Sequence, residues 1–430
     1  MLDAPDSTSR AGEGGPGDRP ALSRCTAVHP DQFAATVWGR EPSLSRAAEL
    51  PQGFDDLFSL DAADHVLSRQ GLRTPFLRVA KDGATLAAAR FTASGGVGAG
   101  VADQVSDTSL TRLFADGSTV VLQALHRTHA PLIAFAQRLG GDLGHPVQVN
   151  AYVTPPQAQG FSAHYDVHDV FVLQIAGRKR WLIHRPVLTH PLRDQPWTDR
   201  RAEVEAAARD EPLLDVVLEP GDALYLPRGF LHAATALGET SAHLTVGIHV
   251  WTRRHLLERL LAAADDVAEL RAPLPLGIDV GDPRAIAAEL AETARLLADA
   301  LPVDVERVAG ELGNEALAAA RPAPVAPFAQ AAAAASATTT TRLAWRDGLR
   351  LVVRRRGTEL SLRTQDGTVR LPAAAEAVVQ ALHEGKVLSV AELPGADDES
   401  RLALARLLMR ECLVVPARSD ADPGPALGSA

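Results

Sequence analysis

His164-Tyr165-Asp166 sets an imidazole and a carboxylate two residues apart, just before the apolar run Val170-Phe171-Val172-Leu173-Gln174-Ile175. In an extended strand alternate side chains share a face, so His164 and Asp166 can reach one ion. A third ligand from a distant strand would complete a two-His-one-carboxylate face with open positions, the set that suits non-haem Fe(II) and oxygen. His232 is the candidate: it follows the Glu219-Pro220-Gly221-Asp222 turn, a short strand and the Pro227-Arg228-Gly229 turn, where a returning strand would lie beside the first. A surface or core histidine and a turn aspartate are the commoner fate of such residues taken singly. Paired with a downstream P-x-G-F-x-H in a β-rich region, they point to a metal. His164 with His168, four apart, would suit a helical zinc site, but Tyr165 stands where that motif has Glu and the following run favours a strand. His168 then stands behind the ligands or faces a substrate.

Charge decides what else such a site needs. A ferrous ion is balanced by Asp166 and the chelating carboxylate of a 2-oxo acid, which leaves the distal carboxylate of 2-oxoglutarate buried and unpaired unless a cation meets it. Lys179, beyond Gly177 on the next strand, is a compact charge able to do this. On charge alone, a solvated basic turn Arg178-Lys179-Arg180 stands close beside that reading.

These residues need a fold that gathers them. From Val147 onward, short β-rich segments at 147–152, 164–175, 180–183, 215–218, 223–226 and 243–248 are separated by Pro, Gly and Asp. That spacing predicts a barrel or a double-stranded β-helix, the jelly roll, so the fold class is mainly β with α. Upstream, Asp31 is placed to cap a helix carrying Phe33, Val37 and Trp38, short helices fill 55–70, strands are expected at 75–79 and 118–122, and a helix at 131–139 closes on Gly140-Gly141. Downstream, Leu256, Leu257, Leu260 and Leu261 open an all-helical stretch with further helices over 283–301 and 303–320. The resulting division is a disordered tail 1–28, a catalytic domain 29–252, a helical segment 253–321, an Ala/Pro/Thr-rich linker 322–342 that could be helical in part, a C-terminal module 343–418 and a tail 419–430. The module's strands at 349–353, 359–362, 368–371 and 413–415 and helices at 373–383 and 400–411 suggest a winged-helix-like unit.

The chain's 430 residues carry a net charge of −10, which argues against a general nucleic-acid binder and suits a basic partner such as a ribosomal or histone-like protein. Cys25 and Cys412 lie at opposite ends without a partner pattern, so a cysteine zinc cluster is excluded and a reducing compartment fits. There is no long apolar span, and the acidic start Met1-Leu2-Asp3 is unlike a signal peptide, so the expectation is a cytoplasmic protein without a membrane partner.

Taken together, Asn150-Ala151-Tyr152-Val153-Thr154-Pro155-Pro156, the approach Gln159-Gly160-Phe161, H-Y-D, V-F-V-L-Q, G-R-K-R-W, and E-P-G-D followed by L-P-R-G-F-L-H resemble the JmjC-type ribosomal oxygenases of the cupin superfamily. The resemblance covers most of the chain. It implies a JmjC jelly roll, a helical dimerisation segment and a winged-helix module in that order, and an Fe(II)- and 2-oxoglutarate-dependent enzyme that uses O2 to hydroxylate a His or Arg side chain of a ribosomal protein. It implies His164, Asp166 and His232 as iron ligands and Lys179 as the partner of the distal carboxylate, with Asn150, Tyr152 and Thr245 lining the pocket. Where family members differ between Lys and Arg for holding 2-oxoglutarate, Lys179 looks more like the eukaryotic-type histidyl hydroxylases than the bacterial arginyl type.

Other features take plainer readings. His243 and His249 share strand parity with Thr245 but read first as core or strand-end histidines; Trp181 and Trp251 read as core. Arg354-Arg355-Arg356 reads as a solvated hairpin edge rather than a nucleic-acid contact, because charges nearly balance across its module. Two other function classes fit the same residues: a metal-binding cupin acting on another peptide or a small molecule, and a non-catalytic metal-binding or nucleic-acid-associated protein.

Overall fold

The computed structural model describes residues 19–81, 83–299 and 305–417. The expected tail over 419–430 and the first eighteen residues of the expected N-terminal tail lie outside that set. The rest of that N-terminal tail does not behave as a tail. Ala21, Leu22 and Cys25 are buried against the main core, and the amides of Ala21 and Leu22 donate to the Asp142 carboxylate. Three apolar side chains and a capping carboxylate suffice to fix so short a segment, although it has no periodicity to betray it.

The centre is a nine-stranded antiparallel β-sandwich. Its strands are β1 (Ser43–Ser45), β2 (Leu77–Lys81), β3 (Ala84–Thr85), β4 (Thr119–Leu122), β5 (Val147–Thr154), β6 (Asp169–His184), β7 (Leu214–Leu218), β8 (Ala223–Leu226) and β9 (Leu231–Ile248). The order is β1-β8-β6-β9-β5-β4-β2-β3, with β7 paired to β6. Two expected strands, 164–175 and 180–183, are one continuous strand, β6, carried past Gly177. There φ is +60° and an added Cβ would run into the Thr240 carbonyl, so glycine is required. Opposite it, the register with β9 shifts between Leu237 and Ala242. Such an irregularity bends a long strand pair so that one pair serves both layers.

The first half of β6 is buried on both faces, which is why it reads as an unbroken apolar run. Phe171 and Leu173 enter the main core, where Phe171 packs at 5.1 Å from Tyr225 and 5.9 Å from Phe33 between ring centroids. Val170 and Val172 point the other way and join Trp181, Ile183 and Leu224 in a second cluster. The first cluster is roofed by α1 (Leu60–Arg69), α2 (Asp107–Ala115) and α3 (Ala130–Leu143); the second faces the mouth of the sandwich.

After the sandwich come α4 (Arg253–Ala264), α5 (Pro283–Asp299) and α6 (Val305–Ala319), held in part by the Arg259–Glu315 ion pair. Leu256, Leu257, Leu261 and Leu290 stay exposed on this segment. The expected linker 322–342 contains α7 (Pro327–Ala335), and it is part of the C-terminal core: Ala333 and Ala334 pack there, and buried Gln330 donates to the Met409 and Val414 carbonyls at 2.9 and 2.7 Å. Alanine is the strongest helix former and Pro327 stands at the helix start, so low complexity here encodes a helix. The module adds β10 (Arg342–Trp345), β11 (Val352–Arg356), β12 (Glu359–Thr364), β13 (Gly367–Pro372), β14 (Leu388–Ser389) and β15 (Val414–Pro416), with α8 (Glu376–His383) and α9 (Asp398–Arg410). These strands form two three-stranded sheets, β14-β10-β15 and β11-β12-β13.

Candidate metal centre

His164 and Asp166 do not lie in a regular strand: β6 begins at Asp169, and His164 makes a single antiparallel bridge to His232 at the start of β9. The bridge is reciprocal, His164 N to His232 O at 3.2 Å and His232 N to His164 O at 2.8 Å, and it sets the two imidazoles side by side with centroids 4.4 Å apart. The Gly229 amide donates to the Asp166 carbonyl at 3.1 Å, tying the turn before His232 to the one acid of the cluster. Ligand atoms of His164, Asp166 and His232 all fall within 4.8 Å of one another.

The ring orientations suit a cation. Nδ1 of His164 faces the Ser162 carbonyl at 2.7 Å and Nδ1 of His232 faces the Phe230 carbonyl at 3.1 Å, so each donates from Nδ1 and leaves Nε2 as a free lone pair. Burial, with His164 adding to it, pulls the His232 imidazole down to about 4, so it is neutral at physiological pH as a ligand must be. Burial opposes ionisation of Asp166, but His168, His232, His164 and Arg78 outweigh it and its carboxyl lies below the usual range. Two imidazoles and one carboxylate with ligand atoms this close together are the donor set of a facial triad.

The triad opens into a cavity of about 220 Å³ whose walls include Arg78, Tyr152, Phe161, Lys179, Trp181, Trp197, His243 and Thr245. Lys179 is 3% exposed, and its Nζ donates to the Thr154 hydroxyl at 3.0 Å, which also accepts from Thr119 at 3.1 Å. No carboxylate pairs with it among the described residues, and burial alone pulls its ammonium down to about 7. A buried cation without a counter-ion is unfavourable, and an anion entering the cavity would offset that cost.

Of the pocket residues expected from sequence, Tyr152 and Thr245 line the cavity with the triad and Lys179. Asn150 does not: its side-chain oxygen accepts the Ala124 amide at 3.0 Å, holding a residue with a left-handed backbone. His168 also stands outside, stacked on His249 at 5.5 Å and packed against Gly247, where an added Cβ would clash with its ring. His243, read as core, is indeed buried, yet it forms cavity wall, stacked on Tyr152 at 5.0 Å with Nδ1 unpartnered among the described residues. Trp181 is likewise both core and wall.

Sequence reasoning missed three groups. Arg78 reaches across from β2, donates to the Tyr152 hydroxyl at 3.2 Å and sits 5.3 Å over the Phe161 ring. Trp197 closes the opposite side, 6.2 Å from His164 between centroids. Asp169, fully buried, accepts from the Tyr225 hydroxyl at 2.6 Å and from the amide and guanidinium of Arg228, and so pins the turn that delivers His232. Only Asp169 left a trace in the sequence, as the one acid heading an apolar strand.

Residues 135–256, which contain all three triad members, match the family model of the JmjC domain. The chain therefore carries a stretch similar to the JmjC domain, and the candidate centre lies within it. The chain is 31% identical over 253 residues to human ribosomal oxygenase 1, covering 57% of this chain and 38% of that one. It is 36% identical over 139 residues to the bifunctional lysine-specific demethylase and histidyl-hydroxylase NO66 of Drosophila persimilis, covering 31% of this chain and 19% of that one. The chain thus spans less than half the length of these curated relatives. In fold it is similar to the Escherichia coli ribosomal oxygenase YcfD, with a TM-score of 0.52 at 19% identity over 90% of this chain and 98% of that one.

Proposed function

We propose that this protein is an Fe(II)- and 2-oxoglutarate-dependent oxygenase that hydroxylates a side chain, His or Arg, of a protein, with a ribosomal protein as the substrate class. The observation that carries the reading is the pairing, in one cavity, of a His-Asp-His donor set with a buried lysine that has no counter-ion among the described residues. Likeness to proteins named ribosomal oxygenases supports the substrate class.

A ferrous ion, 2-oxoglutarate and O2 would supply the oxidising chemistry, coupling decarboxylation of the 2-oxo acid to insertion of oxygen into a C–H bond. The chain's own residues bind and orient. His164, Asp166 and His232 would hold the ion. Lys179, steadied by Thr154, receives the distal carboxylate. Trp181 and Val172 exclude water from that end of the cavity, while Phe161 and Trp197 frame the opening beside His164 where a peptide side chain would enter.

The exposed leucines of α4 and α5 support a symmetric dimer, each copy covering the other's helical segment. We read the C-terminal module, with its three helices and the β11-β12-β13 hairpins, as winged-helix-like.

Succinate release from 2-oxoglutarate with added Fe(II) tests the reading. Turnover by the wild type, lost in His164→Ala and Asp166→Ala, is expected. Metal binding without 2-oxoglutarate binding would instead favour a cupin of different chemistry, and binding of neither would favour a non-catalytic protein.

A further inference from the structure

We propose that the outward face of the β11-β12-β13 sheet is a contact surface for the phosphate backbone of a single RNA strand. The sequence reading dismissed Arg354-Arg355-Arg356 because charges balance across the module. In the structure this run lies in the hairpin strand β11, and the pleat sorts the charges by face.

Strand register makes the sorting explicit. Arg354 pairs with Ser361 and Ser361 with Arg370; Arg356 pairs with Glu359; Val352 pairs with Arg363 and Arg363 with Thr368. Residues directly opposite one another share a face. Leu360, Leu362 and Leu371 are buried on the inner face, and Arg355 on that side pairs with Glu376 at 3.0 Å. The outer face therefore carries Arg354, Arg356, Arg363 and Arg370, interleaved with the hydroxyls of Ser361 and Thr368. All four arginines are exposed. Glu359 is the one acid in this register, 3.7 Å from Arg370. Arg354, Arg356 and Arg363 have no ion-pair or hydrogen-bond partner among the described residues.

Four guanidinium groups held on a rigid sheet, in a chain whose net charge is −10, are a local reversal of the molecule's charge. Alternate residues on a strand stand about 6.7 Å apart, of the order of the separation of successive phosphates, and the planar guanidinium fork matches phosphate oxygens. Arginine with Ser and Thr hydroxyls is the usual phosphate- and sugar-contacting set, and the hydroxyls can also meet a ribose 2′-OH. No aromatic side chain lies on this face to stack a base, so contact would be independent of base sequence. An acidic polypeptide is the competing occupant. The face has no apolar pocket to anchor a peptide side chain, whereas a uniformly charged polymer needs none. The inference is independent of the oxygenase reading, since no residue of the cavity takes part.

Fluorescence anisotropy of the full chain with a labelled oligouridine RNA tests it. Three neutralised phosphates predict a log–log salt slope near −2, about a 20-fold weakening between about 50 and 200 mM salt. The variant R354Q/R356Q/R363Q, altered only at exposed positions, is expected to weaken binding at least tenfold and to flatten the slope. The control R40Q/R90Q, at exposed arginines of the catalytic half, is expected to leave both unchanged. Absence of RNA binding at about 50 mM salt, or equal weakening in the control, overturns the proposal. So does poly-glutamate that binds as tightly as the RNA and displaces it.

Discussion

Lys179 and the outer-face arginines Arg354, Arg356 and Arg363 are all cations without a carboxylate partner among the described residues, but water treats them oppositely. Lys179 is sealed inside the sandwich, where the empty site holds its charge at a cost large enough to bring the ammonium down to about 7. The arginines stand in solvent, which stabilises their charge whether or not a partner is present. An unpaired charge is thus informative in proportion to its burial. Inside the cavity it demands an anion; on the surface it only permits one, and the argument there must rest on pattern.

The sharpest way to break the cavity half of this comparison is at the ions themselves. His164→Ala, Asp166→Ala and His232→Ala should each reduce 2-oxoglutarate turnover to background while the protein remains folded. Retention of turnover in any of them would remove that residue from the centre.

Replacing Lys179 by Met should weaken 2-oxoglutarate binding about 100-fold, measured with a redox-inert divalent metal, and leave metal affinity unchanged. The same change should stabilise the ligand-free protein, by of the order of 2 kcal/mol, because an apolar side chain of similar volume replaces an uncompensated charge. If Lys179→Met destabilises the empty protein, the lysine is structural. No comparable rise in melting temperature is expected from Arg354→Gln, and one would blur the contrast between the two regions.

Protonation sharpens the difference further. Lys179 titrates at about 7 when folded and near 10.5 when unfolded, so between these values the unfolded chain holds a proton the folded chain has released. Stability of the wild type should therefore rise with pH across that window, and Lys179→Met should abolish the rise. Anion binding needs the protonated form, so 2-oxoglutarate affinity should fall about tenfold from pH 7 to pH 8 or slightly above, with net proton uptake on binding in calorimetry. A flat profile would mean that Lys179 is charged in the empty site.

The smallest expected effect concerns Asn150. Because its side chain holds the Ala124 amide rather than facing the cavity, Asn150→Ala should cost about 1 kcal/mol of stability and change the 2-oxoglutarate KM less than twofold. A large KM effect would bring it back into the pocket.

Local sequence spoke clearly where the chemistry is local. A single residue, Tyr165, separates His164 from Asp166, and the Pro227-Arg228-Gly229 turn announces the strand that carries His232, so the triad could be assembled from spacing and turn chemistry. The strand expected from 164 begins only at Asp169, and His164 is joined to the start of β9 by a single bridge to His232 rather than by a continuous ladder. The stretch 322–342 was misread because alanine-rich composition suits both linker and helix, and only the buried amide of Gln330 against Met409 and Val414 decides between them.

By itself, then, the sequence determined the donor types, their order along the chain, the jelly-roll texture and the presence of one lysine at the right distance beyond Gly177. Tertiary structure alone decided that Lys179 is buried without a counter-ion among the described residues, that Arg78 and Trp197 come from remote segments to shape the cavity, that Asn150 turns away, and that Arg354, Arg356, Arg363 and Arg370 share one face of the β11-β12-β13 sheet. Each of these depends on what lies across a strand pair or a cavity, and burial and pairing across space are quantities that spacing along a chain does not contain.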